Sequence, residues 1–223
     1  MSDAAGERGS LIVFEGIDGA GKSTQVARLA EALEARGRRV VRSAEPTRGR
    51  YGAQLRASMA QGRLQPQEEL DLFILDRRDH VEGLIEPALG RGDVVILDRY
   101  YFSTVAYQGA RGFDPAALLA LNTDFAPPPD LLLLLDLDPE RGLTRIREDR
   151  KEAPDAFEVP ELLVRSRRIF LDLAASTPGA HVLDACEDPD ALARRIETLA
   201  VESLKTPSRT MDLAEDDGPR QGR

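Results

Sequence analysis

The sequence predicts an α/β protein in which a five-stranded parallel sheet is flanked by helices in three α/β/α layers, with a short lid segment. Short apolar runs alternate along the chain with longer segments of helical periodicity. Most of these runs are apolar at every position, which is typical of strands covered on both faces. Strands that alternate with helices favour parallel pairing through right-handed crossovers. Ligands of such sheets bind beyond the carboxyl ends of the strands, where we expect the functional residues.

The predicted elements follow one another in an order that fits this fold. The strands are Leu11–Glu15, Arg39–Ser43, Val94–Asp98, Leu131–Asp136 and His181–Asp184. The clearest helical patterns are Lys22–Arg36, Glu68–Leu89, Leu162–Ala175 and Pro189–Leu204. The length of 223 residues fits one large domain. We expect residues 10–204 to form it, with a flexible N-terminus at 1–9 and a disordered tail at 205–223, which is rich in Pro, Gly, Asp and Arg.

Composition argues against several classes of protein. A single cysteine and two histidines do not support a disulfide framework, a cysteine-based zinc site or a histidine-rich metal centre. The net charge of −9 argues against a non-specific nucleic-acid binder. The longest apolar run, Leu131–Leu135, is far shorter than the roughly 20 residues that cross a bilayer, and Met1–Ser10 lacks a secretory signal pattern. We therefore expect a cytoplasmic protein with neither a nucleic-acid nor a membrane partner.

A glycine-rich loop follows the first predicted strand and opens the first predicted helix. Residues 16–23 read GIDGAGKS and fit the pattern G-x-x-x-x-G-K-[ST]. Glycines let consecutive backbone N–H groups point at phosphate oxygens, and the helix N-terminus adds positive charge. The pattern predicts a P-loop that binds ATP or GTP, in which Lys22 neutralises the β- and γ-phosphates and Ser23 ligates Mg²⁺. The residues expected to bind the nucleotide are Gly16, Ile17, Asp18, Gly19, Ala20, Gly21, Lys22, Ser23 and Thr24.

A second polar group follows the third predicted strand. Asp98 can reach the magnesium ion of the P-loop, and Arg99 can bind a phosphate in the cleft, because a guanidinium matches phosphate geometry. An acid that simply ends a strand, followed by a solvated arginine, remains the alternative. The segment Glu45–Arg48 follows the second strand in the same way, but alone it reads as a turn with a charged residue.

Two further patterns each admit a functional and an ordinary explanation. Phe73 and Arg77 are four residues apart and share a helix face. They fit either base stacking with a hydrogen bond to the base edge or core packing beside a solvated arginine. A basic stretch fits either a mobile lid, at about residues 147–158, whose arginines close over phosphates, or a solvated helix face. Its members are Arg141, Arg145, Arg147, Arg150 and Lys151.

Six segments, taken in order, resemble the thymidylate kinases, which are P-loop nucleoside monophosphate kinases. They are FEGIDGAGKST (14–24), EPTRGRYGAQLR (45–56), LFILDRRDHV (72–81), IEPAL (85–89), DRYYFSTVAYQGARG (98–112) and PDLLLLLDLDPERGLTRI (129–146). The P-loop alone indicates only the superfamily, whereas DRY followed by S-T-x-A-Y-Q-G is much more specific. The resemblance covers about residues 10–204. Gly19 stands where some members carry a P-loop arginine, so the chain resembles the bacterial-type subset.

The resemblance implies a role for each matching side chain. It implies that Phe73 stacks on thymine, that Arg77 hydrogen-bonds the thymine edge, and that Arg99 grips the acceptor phosphate. Arg48 matches an arginine near the same phosphate, and Asp18 matches the carboxylate that contacts the acceptor nucleotide. Tyr107 matches the aromatic residue that crowds the sugar 2′ position and favours deoxyribose. Other positions that line the base and sugar pocket are Ser103, Thr104 and Gln108.

Two departures from the family pattern change the expected chemistry. Family lids commonly read D-R-F/Y-E, but residues 155–158 read DAFE, with Ala156 in place of the arginine. Because alanine carries no charge, we infer that Arg147 or Arg150, with Arg145 beside them, supplies the catalytic charge. Glu-Pro-Thr-Arg-Gly also replaces the usual Glu-Pro-Gly-Gly-Thr, so the arginine of that loop aligns across a one-residue gap.

The resemblance implies a dTMP kinase, which uses Mg²⁺ and transfers the γ-phosphate of ATP to dTMP, giving dTDP and ADP for dTTP synthesis. Family members usually form homodimers through packed helices, and the apolar residues of Glu68–Leu89 fit either an interface or the core. A related kinase with another acceptor, such as dUMP, dCMP or a deoxynucleoside, is the main alternative. A P-loop ATPase or switch protein is a third possibility, which leaves the segment DRYYFSTVAYQG unexplained.

Overall fold

The computed structural model describes residues 8–150 and 159–205, except for the side chains of residues 59–61, 149 and 150. Its centre is a five-stranded sheet in the order β2-β3-β1-β4-β5, with all pairs parallel. The strands are β1 Ser10–Glu15, β2 Val40–Ala44, β3 Val94–Asp98, β4 Leu131–Asp136 and β5 Ala180–Asp184. The predicted fold class is confirmed, and each predicted strand is found to within about one residue at either end.

Helices alternate with these strands. Within the described residues they are α1 Lys22–Ala35, α2 Arg50–Gln61, α3 Pro66–His80, α4 Glu86–Gly90, α5 Tyr101–Ala110, α6 Pro115–Thr123, α7 Pro139–Arg150, α8 Pro160–Ser176 and α9 Pro189–Ser203. The single helix predicted over residues 68–89 is divided into α3, a π-helical turn at Val81–Ile85, and α4. Asp114 and Asp188 cap α6 and α9, each followed by a proline in the first turn, which is the sequence signature of a helix start.

Burial follows the position of each strand in the sheet. The first five residues of β4, in the interior of the sheet, are at most 2% exposed. Strands β2 and β5 form the two edges and are half-exposed. Helices α1 and α9 pack together and against the sheet, and α8 packs against β4, β5 and α5. This explains why the central strands read as uninterrupted apolar runs.

The register brings three strand ends to one edge of the sheet. Phe14 of β1 and Ala44 of β2 are both level with Asp98 of β3. The residues that follow these positions therefore meet, and they include Glu15 and the loop after β1. This edge is the place where the fold predicts a ligand site.

Parts of the predicted domain organisation lie outside the described residues. These are residues 1–7 of the N-terminus, residues 151–158 of the lid, including Ala156, and residues 206–223 of the tail. The assignments of flexibility, lid and disorder therefore stay predictions. Gly9, within the predicted flexible start, donates its N–H to the carbonyl oxygen of Leu89 at 2.8 Å. Across the described ranges, no helix combines the length and the apolar character needed to cross a membrane.

Candidate active site

The donor loop, residues 16–23, leads from β1 into the first turn of α1. Gly16 and Gly19 have φ angles of 137° and 78°, which residues with side chains rarely adopt. A Cβ on Gly16 would lie 2.4 Å from the carbonyl oxygen of Leu135, and one on Gly19 would lie 2.6 Å from that of Gly142. No side chain caps α1, so its first N–H groups can bind an anion. The backbone of this loop therefore forms a phosphate cradle that requires glycine.

Lys22 lies inside this cradle. Its side chain is buried, and Nζ donates a hydrogen bond to the carbonyl oxygen of Ile17 at 2.9 Å. Burial lowers the pKa of Lys22 to about 8, with a further contribution from Arg99, while nearby carboxylates oppose the shift. Because this pKa stays above neutrality, the ammonium is mostly charged at pH 7 and can neutralise phosphate.

Ser23 and Asp98 form a hydrogen-bonded pair at the mouth of the donor loop. Ser23 Oγ donates to Asp98 Oδ2 at 2.5 Å. Hydroxyl and carboxylate oxygens suit Mg²⁺, which usually completes its shell with water and substrate phosphates. Within the described ranges, no group of three or more His, Cys, Asp or Glu side chains could hold a metal ion alone. The pair therefore fits a magnesium ion whose remaining ligands come from a nucleotide and water.

The acceptor cluster consists of Asp18, which belongs to the donor loop, and of Arg99, Ser103 and Tyr107, which lie beside that loop. Arg99 Nη1 donates to the carbonyl oxygen of Gly16 at 3.2 Å and to Ser103 Oγ at 3.0 Å. Arg99 Nη2 donates to Asp18 Oδ1 at 2.8 Å. The backbone of Arg99 has φ 71°, a conformation uncommon for residues other than glycine. The arginine thus touches the donor loop while its guanidinium is fixed by neighbouring side chains.

The protonation state of each group in the acceptor cluster depends on its neighbours. Burial alone would raise the pKa of Asp18, but the Arg99 and Lys22 cations outweigh it and lower the pKa to about 2. Burial raises the pKa of the Tyr107 phenol, which donates to Asp18 Oδ2 at 3.2 Å. The Arg99 guanidinium also lies 5.3 Å from the centre of the Tyr107 ring. The cluster therefore presents an ionised carboxylate, a neutral phenol and a charged guanidinium at neutral pH.

Glu15, the last residue of β1, lies beneath the acceptor cluster and is fully buried. Its Oε1 accepts the N–H groups of Tyr100 and Ser103 at 2.8 and 3.0 Å, and its Oε2 accepts the Ser103 hydroxyl at 2.6 Å. Burial raises its pKa to about 7, although Arg99, Ser103, Tyr100 and Lys22 all lower it. No role for Glu15 follows from the sequence pattern. The available signal was an acid at the end of a wholly apolar strand, since buried carboxylates need partners.

The base cluster surrounds Arg77 of α3, whose side chain is 1% exposed. Arg77 Nε and Nη2 donate to Glu45 Oε2 at 2.9 and 2.6 Å. Nη2 also donates to Thr104 Oγ1 at 3.0 Å, and Nη1 donates to Asn122 Oδ1. This environment excludes the alternative of a solvated arginine. The half-buried Phe73 lies one helical turn earlier on α3.

Glu45 balances the charge of Arg77. Burial would raise the pKa of Glu45, but Arg77 and His80 lower it below its usual value. His80 Nδ1 lies 3.0 Å from Glu45 Oε1, and His80 Nε2 lies 2.8 Å from Ser43 Oγ. Glu45 and Asn122 were not predicted as site residues. Both residues lie far from Arg77 in the chain, so the sequence gives no indication that they contact it.

Several predicted site residues lie apart from these clusters. Gln108 is fully buried, and its Nε2 donates to Glu69 Oε1 at 2.7 Å. Arg48 is exposed and has no hydrogen bond or ion pair with another residue in the described ranges. Thr24, like Ser23 beside it, is exposed at the start of α1.

The first arginines of the basic stretch predicted to form the lid lie in α7. Arg145 is fixed by the carbonyl oxygens of Gly19 and Ala185, at 3.2 and 3.0 Å. Arg147 is exposed on the same helix, and the side chain of Arg150 lies outside the described part of the chain. The described residues therefore place Arg145 against the donor loop and leave the roles of Arg147 and Arg150 as predictions.

The chain is similar to known proteins over most of its length. The family model described as thymidylate kinase matches residues 14–196. The chain is 57% identical over 196 residues to the thymidylate kinase of Xanthomonas campestris pv. campestris (strain B100), covering 88% of this chain and 85% of that protein. It is 55% identical to the thymidylate kinase of Xanthomonas oryzae pv. oryzae (strain PXO99A), with the same coverage. Identity to the thymidylate kinase of Xylella fastidiosa (strain M12) is 50%, over 88% of this chain and 89% of that protein.

Proposed function

The chain belongs to the thymidylate kinase family, and we propose that the donor loop, the acceptor cluster and the base cluster divide the work of its reaction. The enzyme transfers the γ-phosphate of ATP to dTMP and gives dTDP and ADP. The single observation that supports this division is Arg99, which contacts Gly16 and Asp18 of the donor loop on one side and Ser103 of α5 on the other. A phosphate held by Arg99 therefore lies next to a phosphate held by the loop.

We assign the donor side to the backbone of residues 16–24 and to Lys22. Positive-φ glycines and the uncapped start of α1 supply N–H donors for the phosphates. The buried ammonium of Lys22 adds charge neutralisation. Ser23 and Asp98 would hold Mg²⁺, which neutralises charge on the phosphate oxygens when bound.

We assign the acceptor side to the residues around Arg99. Its guanidinium can bind the dTMP phosphate in a bidentate manner, and Arg48 is expected to contact the same phosphate. Asp18 and Tyr107 form the wall that the sugar meets, with Ser103 beside them. Arg77, with Thr104, reads the base edge, Phe73 stacks on the ring, and Gln108 supports the pocket from inside. These last roles rest on the resemblance alone.

Phosphoryl transfer through a loose transition state depends chiefly on positioning and charge neutralisation. No general base is needed, because the attacking phosphate oxygen is already anionic near neutral pH. We propose that a lid arginine, Arg147 or Arg150, neutralises the transferred group. Closure of the lid would exclude water that otherwise hydrolyses ATP.

The test is ADP release by the purified protein with Mg²⁺–ATP and each of dTMP, dUMP, dCMP, dGMP, UMP and thymidine. We expect a large preference for dTMP and little ADP release without an acceptor. Strong turnover with another acceptor would retain the phosphate machinery but contradict the assignment of the base cluster. ADP release that does not depend on any acceptor would contradict the kinase assignment itself.

We further propose that the enzyme is a cytoplasmic homodimer. Leu75 of α3 and Leu121 of α6 are 40% and 43% exposed, and the two helices are joined by the Arg77–Asn122 contact. Contiguous exposed apolar surface marks interaction sites, and we take these two leucines as candidates for such a surface. Sedimentation of the protein and of a Leu75→Glu variant tests this: the variant should shift toward monomer, and an unchanged dimer would place the interface elsewhere. Fractionation of cells tests the location.

A further inference from the structure

We propose that Glu15 is a positioning residue for Arg99 and acts through the hydroxyl group of Ser103. The proposal rests on the proposed role of Arg99 as the arginine that binds the acceptor phosphate. It adds a residue that does not touch substrate but determines how the guanidinium of Arg99 is presented.

The direction of the hydrogen bonds supports this relay, which runs from Glu15 through Ser103 to Arg99. A serine hydroxyl has one hydrogen to donate, and an ionised carboxylate can only accept. Ser103 Oγ lies 2.6 Å from Glu15 Oε2, a short distance typical of a bond to a charged acceptor. With its hydrogen committed to Glu15, Ser103 presents lone pairs to Arg99 Nη1, 3.0 Å away. Ionised Glu15 therefore fixes Ser103 as an acceptor for Arg99.

The same carboxylate also fixes the backbone that carries Ser103. No side chain of the adjoining loop caps α5, but Glu15 Oε1 accepts the N–H groups of Tyr100 and Ser103 from the end of β1. A carboxylate at this position also complements the positive end of the helix. Arg99 lies just before this helix, at φ 71°, and its N–H donates to the carbonyl oxygen of Phe14. Glu15 thus restrains both the partner of Arg99 and the helix that follows it.

Two cations and one neutral phenol face Glu15, and they come from three elements. Arg99 lies at the end of β3, Lys22 in α1 and the Tyr101 ring in α5, and the two cations favour the ionised carboxylate. Burial opposes ionisation and leaves the pKa at about 7. Because Oε1 already accepts two N–H groups, a proton on Glu15 would sit on Oε2 and could be donated to Ser103, which reverses that bond. The relay should therefore form as pH rises through neutrality.

The experiment compares Glu15→Gln, Ser103→Ala and the double variant. The glutamine can still accept N–H bonds through its oxygen but presents an NH₂ group to Ser103. We expect the Glu15→Gln variant to lose roughly tenfold in kcat/KM for dTMP, about the effect of one misplaced hydrogen bond to a charged group, with little change in KM for ATP. The double variant should be hardly worse than the more impaired single variant, because both act on the same contact.

A matched control separates this relay from general damage to a buried acid. Asp93 is 4% exposed, pairs with Arg39 and Arg91, and lies before β3 at the opposite end of the sheet. Asp93→Asn should leave both KM values unchanged. The wild-type kcat/KM for dTMP should also rise between about pH 6 and pH 8, in addition to the titration of the dTMP phosphate, which all variants share.

Each outcome decides between the proposals. Unchanged kcat/KM for dTMP in Glu15→Gln, or losses that add in the double variant, would overturn the relay. If Arg99→Ala itself has little effect, the role of Arg99 fails rather than the relay. Should Glu15→Gln not fold, the pH profile of Ser103→Ala decides: the proposal predicts that its kcat/KM loses the extra rise near pH 7, and retention of that rise contradicts it.

Discussion

Arg99 is held in an uncommon backbone conformation by contacts that also aim its side chain. The φ angle of 71° costs about 1 kcal/mol for a residue with a side chain. Its N–H bond to Phe14 and its side-chain bonds to Gly16, Ser103 and Asp18 offset that strain. The guanidinium therefore needs little rearrangement to bind an anion, which is the property that positioning catalysis requires.

Loss of a phosphate-binding charge should be severe. We expect Arg99→Ala and Lys22→Ala each to reduce turnover at least about a hundredfold, a typical effect of removing such a charge from a site. Steady-state ADP release with dTMP measures this. Arg38→Ala, which removes an exposed arginine after α1, should have no effect. A loss below about tenfold for either site variant would contradict its assignment.

Replacement of Arg77 should affect both stability and base recognition. Arg77→Lys keeps the charge but cannot bind Glu45, Thr104 and Asn122 together, because lysine lacks the planar fork of donors. We expect a lower melting temperature, a higher KM for dTMP and a smaller preference for dTMP over dCMP. Arg78→Lys, at a neighbouring half-buried arginine, is the control. A normal dTMP preference in Arg77→Lys would remove Arg77 from base recognition.

Single residues could be predicted where their motif is contiguous in the sequence. The donor loop, Asp98 and Arg99 follow strand ends and were recognisable from local pattern. Glu15 and Glu45 were not, because their function depends on partners that are far away in the chain. The burial of Arg77 could not be inferred for the same reason: spacing shows that it shares a helix face with Phe73, but not which residues cover that face.

At the scale of elements, the donor loop is fitted closely to the start of α7. A side chain at Gly19 would meet the backbone of Gly142, and its φ of 78° is unfavourable for any other residue. The P-loop arginine of other family members therefore cannot be introduced here without displacing α7. This is a physical argument in favour of the proposal that a lid arginine, rather than the donor loop, supplies the catalytic charge.

We expect Gly19→Arg to lose activity rather than gain a catalytic arginine. The added side chain should distort the loop, so KM for ATP should rise and turnover should fall about tenfold or more. ATP titration followed by turnover assays measures both effects. Gly83→Ala, at a glycine with no neighbouring atoms in the way, is the matched control. Wild-type turnover in Gly19→Arg would show that the loop has more freedom than its contacts suggest.

The lid arginines can be tested in the same assay. We expect Arg147→Ala or Arg150→Ala to reduce turnover with little effect on KM for dTMP, because the charge acts on the transferred group. Arg194→Ala on α9 removes an exposed arginine from another helix and should be silent. The hypothesis fails if both lid variants stay within about a factor of two of wild type.

Elements were predictable where one face is polar and where breakers mark the ends. Helices α1, α8 and α9 have such patterns and begin and end close to their predicted limits. Helix α5 was not predicted, because most of its residues are buried and it packs against α3, α6 and α8. A helix covered from several sides shows no polar stripe. The segment that carries Ser103, Thr104 and Tyr107 therefore appeared as a motif without a secondary structure.

For the whole molecule, the buried carboxylates give stability an unusual pH dependence. The pKa of Glu15 is raised from 4.5 to about 7, so its contribution to folding is present below about pH 4.5 and lost as pH rises through about 7. Asp18 and Glu45 have lowered pKa values, and their contributions are lost only in acid. Among the described residues, Glu15 is therefore an acid whose charge destabilises the fold at neutral pH, while the relay requires that charge.

The neutral variant Glu15→Gln should become more stable relative to wild type as pH rises. We expect the difference in melting temperature, variant minus wild type, to increase between about pH 5 and pH 8, because only the wild type must ionise a buried group. Thermal unfolding followed by circular dichroism measures this, with Asp93→Asn as a control. A constant or shrinking difference would show that Glu15 keeps an ordinary pKa.

The buried surroundings of Arg77 have a consequence for how this enzyme can evolve. Its guanidinium is shared by the loop after β2, by α5 and by α6, through Glu45, Thr104 and Asn122. Substitution of any one partner leaves the buried guanidinium without one of its hydrogen bonds. Most single substitutions among these residues should therefore destabilise the protein. Resistance to a thymidine-like inhibitor should therefore arise first at half-buried residues proposed to line the pocket, such as Phe73 or Tyr107, rather than at Arg77, which is proposed to read the base.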